Sequence, residues 1–199
     1  MWDQRFSGDE YVYGREPNDF LKAEYAHIPK GGRVLCLAEG EGRNAVFLAK
    51  LGYQVTGVDQ SSVGLNKAQK LAAENGVTII TKISDLADYD LGDNAWDGIV
   101  SIFAHVPPKV RQDLHQRAIR GLKKDGVFLL EAYTERQLTM SGVGGPPAEN
   151  KDYLMSLADL KEELKDLEFI IGAEVERTIN EGTNHYGESA VVQVVARKD

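Results

Sequence analysis

The sequence predicts an α/β protein, a doubly wound and mostly parallel sheet of seven strands that ends in an antiparallel pair. Three observations carry that prediction. Short apolar runs of the kind found in strands buried on both faces alternate with segments of helical periodicity along most of the chain. The first unit, Arg33 to Asp59, runs strand, glycine turn, helix and strand, which is half of a nucleotide-binding unit. The last two apolar runs, Phe169 to Glu176 and Ala190 to Ala196, are joined only by the polar Asn180-Glu-Gly-Thr-Asn-His-Tyr-Gly187 and so read as an antiparallel pair.

Composition bounds the rest. At 199 residues and 42% hydrophobic content the chain reads as one domain, 1–199, able to bury a substantial core. Its 23 basic and 31 acidic residues give a net charge of −8 with no polybasic run, which argues for a small-molecule partner over nucleic acid or a membrane. Cys36 is the sole cysteine, so no intrachain disulfide forms, and its place inside an apolar strand suits a buried, inert thiol. Met1-Trp-Asp-Gln-Arg-Phe6 lacks a signal-peptide pattern and no apolar run approaches 18 residues, so a cytoplasmic protein is expected. No Cys/His cluster suggests a metal, and the oligomeric state is not readable.

Taken in order, Trp2 to Arg15 is aromatic and charged with no strand pattern, either a docked arm or a lid. As a lid it would bring the apolar faces of Trp2 and Tyr13 and the cation of Arg5, which suits a carboxylate. Pro17-Asn18-Asp19 starts a helix from Phe20 to Ile28, stopped before Pro29. Val34 to Leu37 is the first strand; Ala38-Glu-Gly-Glu-Gly42 turns, Asn44 to Lys50 is helical until Gly52, and Gln54 to Val58 is the second strand. Gln60-Ser61-Ser62 caps a helix from Val63 to Asn75. Thr78 to Ile83 is the third strand, followed by Ser84-Asp85-Leu86. Trp96 to His105 is the fourth, Lys109 to Leu122 a helix opened by Pro107-Pro108, and Val127 to Ala132 the fifth strand. Residues 136–152, with Ser141-Gly-Val-Gly-Gly-Pro-Pro147, form a loop expected over the substrate opening, and Leu157 to Leu167 is an amphipathic helix.

The turn at 38–42 marks a cofactor site. Gly40 and Gly42 let a ligand reach the backbone, the helix start offers free N–H donors, and Asp59 can accept both hydroxyls of a ribose. Gly40-Glu-Gly-Arg-Asn-Ala45 also fits a dinucleotide fingerprint, but Glu39 and Glu41 would face a pyrophosphate with negative charge, which suits a sulfonium cofactor such as S-adenosylmethionine better. Asp85 can accept from an adenine amine, with Leu86 against the ring.

Val34-Leu-Cys-Leu-Ala-Glu-Gly-Glu-Gly-Arg-Asn44, Asp59, Asp85 and Ser101 to His105, with the terminal strand pair, resemble the motifs of the class I S-adenosylmethionine-dependent methyltransferases. That resemblance covers nearly the whole chain and implies a Rossmann-like fold. More narrowly, Trp2-Asp-x-Arg5-Phe6, Tyr13-Gly14-x-x-Pro17-Asn18 and Gly42-Arg-Asn44 are similar to the tellurite-resistance and thiopurine methyltransferase-like branch, whose members methylate small, often chalcogen-centred acceptors. It implies a cofactor site of Trp2, Arg5, Glu39, Gly40, Glu41, Gly42, Asn44, Asp59, Gln60, Ser61, Asp85, Leu86 and Phe103. Cys36 and Ala38 depart from the motif, which commonly has an acid and a glycine there, and Glu39 is expected to stand in partly for the acid.

Transfer of a methyl group to a soft anion needs no general base. Where one is needed, His105 is the candidate, with a backbone-satisfied histidine the competing reading, and His185 is weaker. Tyr11, Tyr13, Tyr133 and Met140 are candidates for the acceptor pocket. The rival functions are an NAD-type oxidoreductase and a non-catalytic module that binds S-adenosylmethionine.

Overall fold

The computed structural model describes residues 1–199. Its sheet has seven strands in the order β3-β2-β1-β4-β5-β7-β6. They span Arg33–Leu37 (β1), Gln54–Asp59 (β2), Ile80–Ile83 (β3), Trp96–Ile102 (β4), Leu122–Tyr133 (β5), Glu168–Asn180 (β6) and Tyr186–Arg197 (β7). The first five pair in parallel; β7 runs antiparallel to both β5 and β6. This is the Rossmann-like, doubly wound seven-stranded sheet with a terminal antiparallel pair expected from the sequence.

Alternation along the strands sorts the core onto two faces. Leu35, Leu37, Ile99, Phe128 and Leu130 join Leu114 and Ala118 of α5 (Pro108–Gly121) and Leu160 of α6 (Leu157–Glu163). On the other face Val34, Cys36, Val55, Val100 and Leu129 pack with α2 (Asp19–Glu24), α3 (Arg43–Lys50) and α4 (Ser62–Glu74). After β3 the chain returns to the other side of β1, so the carboxyl ends of β1 and β4 flank a topological switch point, where sheets of this kind bind ligands. No helix is long and apolar enough to cross a membrane.

Several boundaries differ from the sequence expectation. The fourth strand stops at Ile102, because Phe103 has φ 53° and turns the chain out of the sheet. The fifth begins at Leu122, pairing it with Trp96 across a register shift that Lys123 to Gly126 disguises as a turn. The terminal hairpin is longer, its turn confined to 181–185. A one-turn helix, α1 (Trp2–Arg5), opens the arm. The 136–152 loop holds two 3₁₀ turns, Glu135–Thr139 and Ala148–Tyr153, and Val143 bridges to Tyr186.

Candidate active site

The turn after β1 and the end of β2 lock together. Asp59 is buried, and its carboxylate accepts from the backbone N–H of Gly40 (2.9 Å) and of Ser61 (2.8 Å). Burial raises its pKa, and those backbone donors only partly offset the rise. A carboxylate taken out of water, with lone pairs still available, is suited to accept hydroxyl protons. Ser61 caps α4 through Gly64 N–H and donates its hydroxyl to Asp3 of the arm.

Glu39 points inward. Its carboxylate accepts from Ala45 N–H at 2.8 Å, in the first turn of α3, and its side chain fills the space that Gly57 leaves by having no Cβ. Gly57 is the register partner of Cys36, so the Glu39 carboxyl lies beside Cys36 and ties the turn after β1 to the first turn of α3. Burial holds Glu39 up at about 7 and Cys36 well above the usual thiol range. Glu41 is buried too, accepting from Lys67 Nζ and from Val12 N–H of the arm, both at 2.8 Å. Contrary to the sequence expectation, neither Glu39 nor Glu41 faces a ligand at the turn with an open negative charge, because both are buried and partnered. Gly42 has φ 94°, and a Cβ there would come within 2.6 Å of Ala68, so its lack of a side chain also serves the packing of α3 on α4.

The N-terminal arm lies over this end of the sheet. Phe6 is buried against Gly40 and Gly64; a Cβ on Gly40 would meet its ring at 3.3 Å. Trp2 stacks on Phe6 with centroids 5.9 Å apart, and Arg5 lies over Trp2 and donates to the Tyr13 hydroxyl. Tyr11 donates its hydroxyl to the Lys67 carbonyl. Gln60 is exposed at the head of α4, and Asp85 is exposed in a turn, accepting from Ala87 N–H, while Leu86 is buried in the core.

Beyond β4 the site is aromatic. Phe103 stacks on Tyr133 at 4.6 Å, His185 packs between Phe103 (4.7 Å) and Tyr13 (4.5 Å), and a Cβ on Gly144 would collide with the Tyr133 hydroxyl. Burial pushes the Tyr133 hydroxyl above the usual tyrosine range. Both ring nitrogens of His105 meet backbone: Nδ1 lies 3.0 Å from the Tyr153 carbonyl and Nε2 accepts from Tyr133 N–H. Burial holds it down at about 4, so neither nitrogen is free to take a proton in this arrangement. Met140 is half-buried at the end of its 3₁₀ turn.

Asn44 accepts from Asn18 N–H, and Asn18 leads into a network the sequence reading missed. Glu131, fully buried in β5, accepts from Asn18, Arg177 and Gln193; Glu181 accepts from Asn18, Arg43 and Arg177. One signal was present: Glu131 interrupts the run Val127-Phe-Leu-Leu-Glu-Ala132, and an acid in a buried strand requires cationic partners. A surface hollow of about 490 Å³ between α3, α4 and residues 15–22 borders neither Asp59 nor Gly40 and is a groove between helices.

The methyltransferase domain family matches residues 34–126, the segment from β1 into β5. The uncharacterized methyltransferase YbaJ of Bacillus subtilis is 35% identical over 101 residues, 50% of this chain and 40% of that protein. A tRNA (uracil(54)-C(5))-methyltransferase of Pyrococcus horikoshii is 26% identical over 138 residues, 63% of this chain and 32% of that protein. The chain thus spans well under two thirds of the length of these relatives. The crystal structure of TehB from Haemophilus influenzae superposes on all of this chain and 68% of its own, with a TM-score of 0.75 at 21% identity.

Proposed function

We propose that the chain is an S-adenosylmethionine-dependent methyltransferase of small molecules, with a preference for soft thiol or other chalcogen acceptors. One observation carries the cofactor assignment: Asp59, partly desolvated at the end of β2, is hydrogen-bonded to the glycine turn after β1, next to the switch point. In this reading Asp59 grips the ribose hydroxyls, Gly40 and Gly42 leave room beside the backbone, Asp85 and Leu86 lie on the base side, and Phe103 borders the reacting end. When bound, the cofactor supplies an electrophilic sulfonium methyl; the chain contributes alignment and the exclusion of water by the arm. The state of His105 supports an acceptor that is already anionic at neutral pH, as a thiolate or a chalcogen oxyanion is, because such a nucleophile has no proton to surrender. Although one relative's name specifies tRNA, a net charge of −8 with no basic run speaks for a small molecule here.

Calorimetric titration with S-adenosylhomocysteine and with NADH tests the assignment. Saturable binding of the former alone is expected, and Asp59→Ala is expected to weaken it by about 1–3 kcal/mol through lost ribose hydrogen bonds. Binding of NADH alone would return the site to an oxidoreductase. Labelled methyl transfer to thiols, selenols, tellurite and thiopurines then separates an enzyme from a binding module.

A further inference from the structure

Three buried side-chain polar atoms have no hydrogen-bond partner in the protein: Arg43 Nη1, Tyr133 Oη and His185 Nδ1. Their residues are only 7%, 0% and 9% exposed, and they belong to one cluster. The rings of Tyr133 and His185 are 5.4 Å apart. Arg43 pairs at 2.7 Å with Glu181, at the start of the turn that carries His185; burial first, and then the charge of that guanidinium, hold the imidazole well below its ordinary pKa. Buried polar atoms are normally satisfied. A fold selected for stability alone would place Phe at 133 rather than bury an idle hydroxyl, so a cluster of three such atoms calls for a ligand.

Its position indicates which ligand. Tyr133 ends β5, on the far side of β4 from Asp59 and β2, so the cluster lies where an acceptor would approach the reacting end rather than at the ribose. Two covers close over it, Tyr13 of the arm against His185 and Gly144 of the loop against Tyr133. The charges differ across the cluster: Glu181 and Glu131 bear on the Tyr133 hydroxyl more strongly than Arg177 and Arg43 do, so an anion gains most at the His185 end, where Arg43, Arg5 and Arg177 bear on the imidazole and Arg5 has no acid partner. Resting on the methyltransferase reading, we propose that Arg43, Tyr133 and His185 form a subsite for an acidic head group of the methyl acceptor, a carboxylate or comparable small oxyanion. The guanidinium N–H and the phenol O–H donate to it, and His185 donates in the tautomer protonated on Nδ1. Phe103, stacked on Tyr133, offers an aromatic wall to the acceptor's body.

Tyr133→Phe is the discriminating variant, because it deletes one oxygen that has no partner to lose. Arg43→Lys is the second; it keeps a cation for Glu181 while removing the spare nitrogen. Binding of benzoate and of sulfate to the full chain is measured calorimetrically, with and without S-adenosylhomocysteine. At least one anion should bind saturably to the natural sequence and tenfold or more weakly to both variants, while Tyr133→Phe melts at or above the natural temperature and retains its affinity for S-adenosylhomocysteine. Failure of both anions to bind would overturn the proposal, as would variants that bind them undiminished. Displacement of the anion by S-adenosylhomocysteine but not by methylthioadenosine, which lacks the amino-acid portion, would hand the subsite to the cofactor's own carboxylate and equally overturn it. Failure of S-adenosylhomocysteine itself to bind is scored separately and strikes the methyltransferase reading, not the anion titration.

Discussion

Glu39 is a carboxyl group held inside the protein with one backbone donor and a thiol for company, and its pKa of about 7 is the measure of that cost. An unfolded glutamate titrates near 4.5. Because the folded value is the higher one, the folded state holds the proton more tightly. The contribution to stability is fully present below about 4.5 and is lost as pH rises through about 7, a span worth roughly 3 kcal/mol. Glu39→Gln preserves an oxygen for Ala45 N–H but cannot ionise. Its stability relative to the natural sequence should therefore improve from pH 5 to about pH 7 in urea unfolding and level off above that, and a pH-independent difference would mean that Glu39 ionises in the folded protein as readily as in the unfolded chain. The sequence made Asp59 legible, because an acid closing the second strand of such a unit has few other duties. It could not show which way Glu39 or Glu41 turns. The inward turn of Glu39 depends on Gly57, a neighbour on another strand, and the burial of Glu41 on Lys67 and Val12.

Among the elements, the apolar strands were readable because burial on both faces leaves a continuous run, and the caps at Asn18 and Ser61 because their side chains take N–H groups three residues on. The arm was not readable in this way. Its four-residue helix has no periodicity to detect, and its position is fixed by distant partners: Val12 N–H donates to Glu41, the Val12 carbonyl accepts from Thr183 N–H, and Tyr11 reaches Lys67. Glu41 is the hinge of that attachment, since it holds the arm and α4 at once. Glu41→Ala should raise hydrogen exchange at the Val12 and Thr183 amides by an order of magnitude or more, with little change in β1, β4 and β5. Unchanged protection at Val12 would show that Phe6, seated on Gly40 and Gly64, holds the arm without help from the acid.

Across the whole molecule, the parallel part of the sheet, the antiparallel pair and the N-terminal segment meet at Glu131. Its carboxylate is fully buried and accepts from Asn18, from Gln193 of β7 and from Arg177 of β6, the last at 3.1 Å from Nε with a second bond from Nη2. Arg177 also reaches Glu181, which Arg43 bonds from the start of α3, so one connected set of charges joins elements far apart in the chain. Burying such a set is costly, and its net contribution to stability is small when every member is satisfied. Removing one member is a different matter. Glu131→Ala leaves the Arg177 guanidinium with Glu181 and, at the exposed rim, Asp19 as its remaining acids and the Asn18 and Gln193 amides short of an acceptor, so a loss of about 3–5 kcal/mol in urea unfolding is expected. If charge pairing is what makes that loss large, exchanging both partners for apolar groups should recover much of it: Glu131→Met with Arg177→Met would be less destabilised than Glu131→Ala alone, with the Arg43–Glu181 pair still intact. If the double variant instead loses the sum of the two single losses, Glu131 and Arg177 act independently, and the three parts of the fold are held together by apolar packing alone.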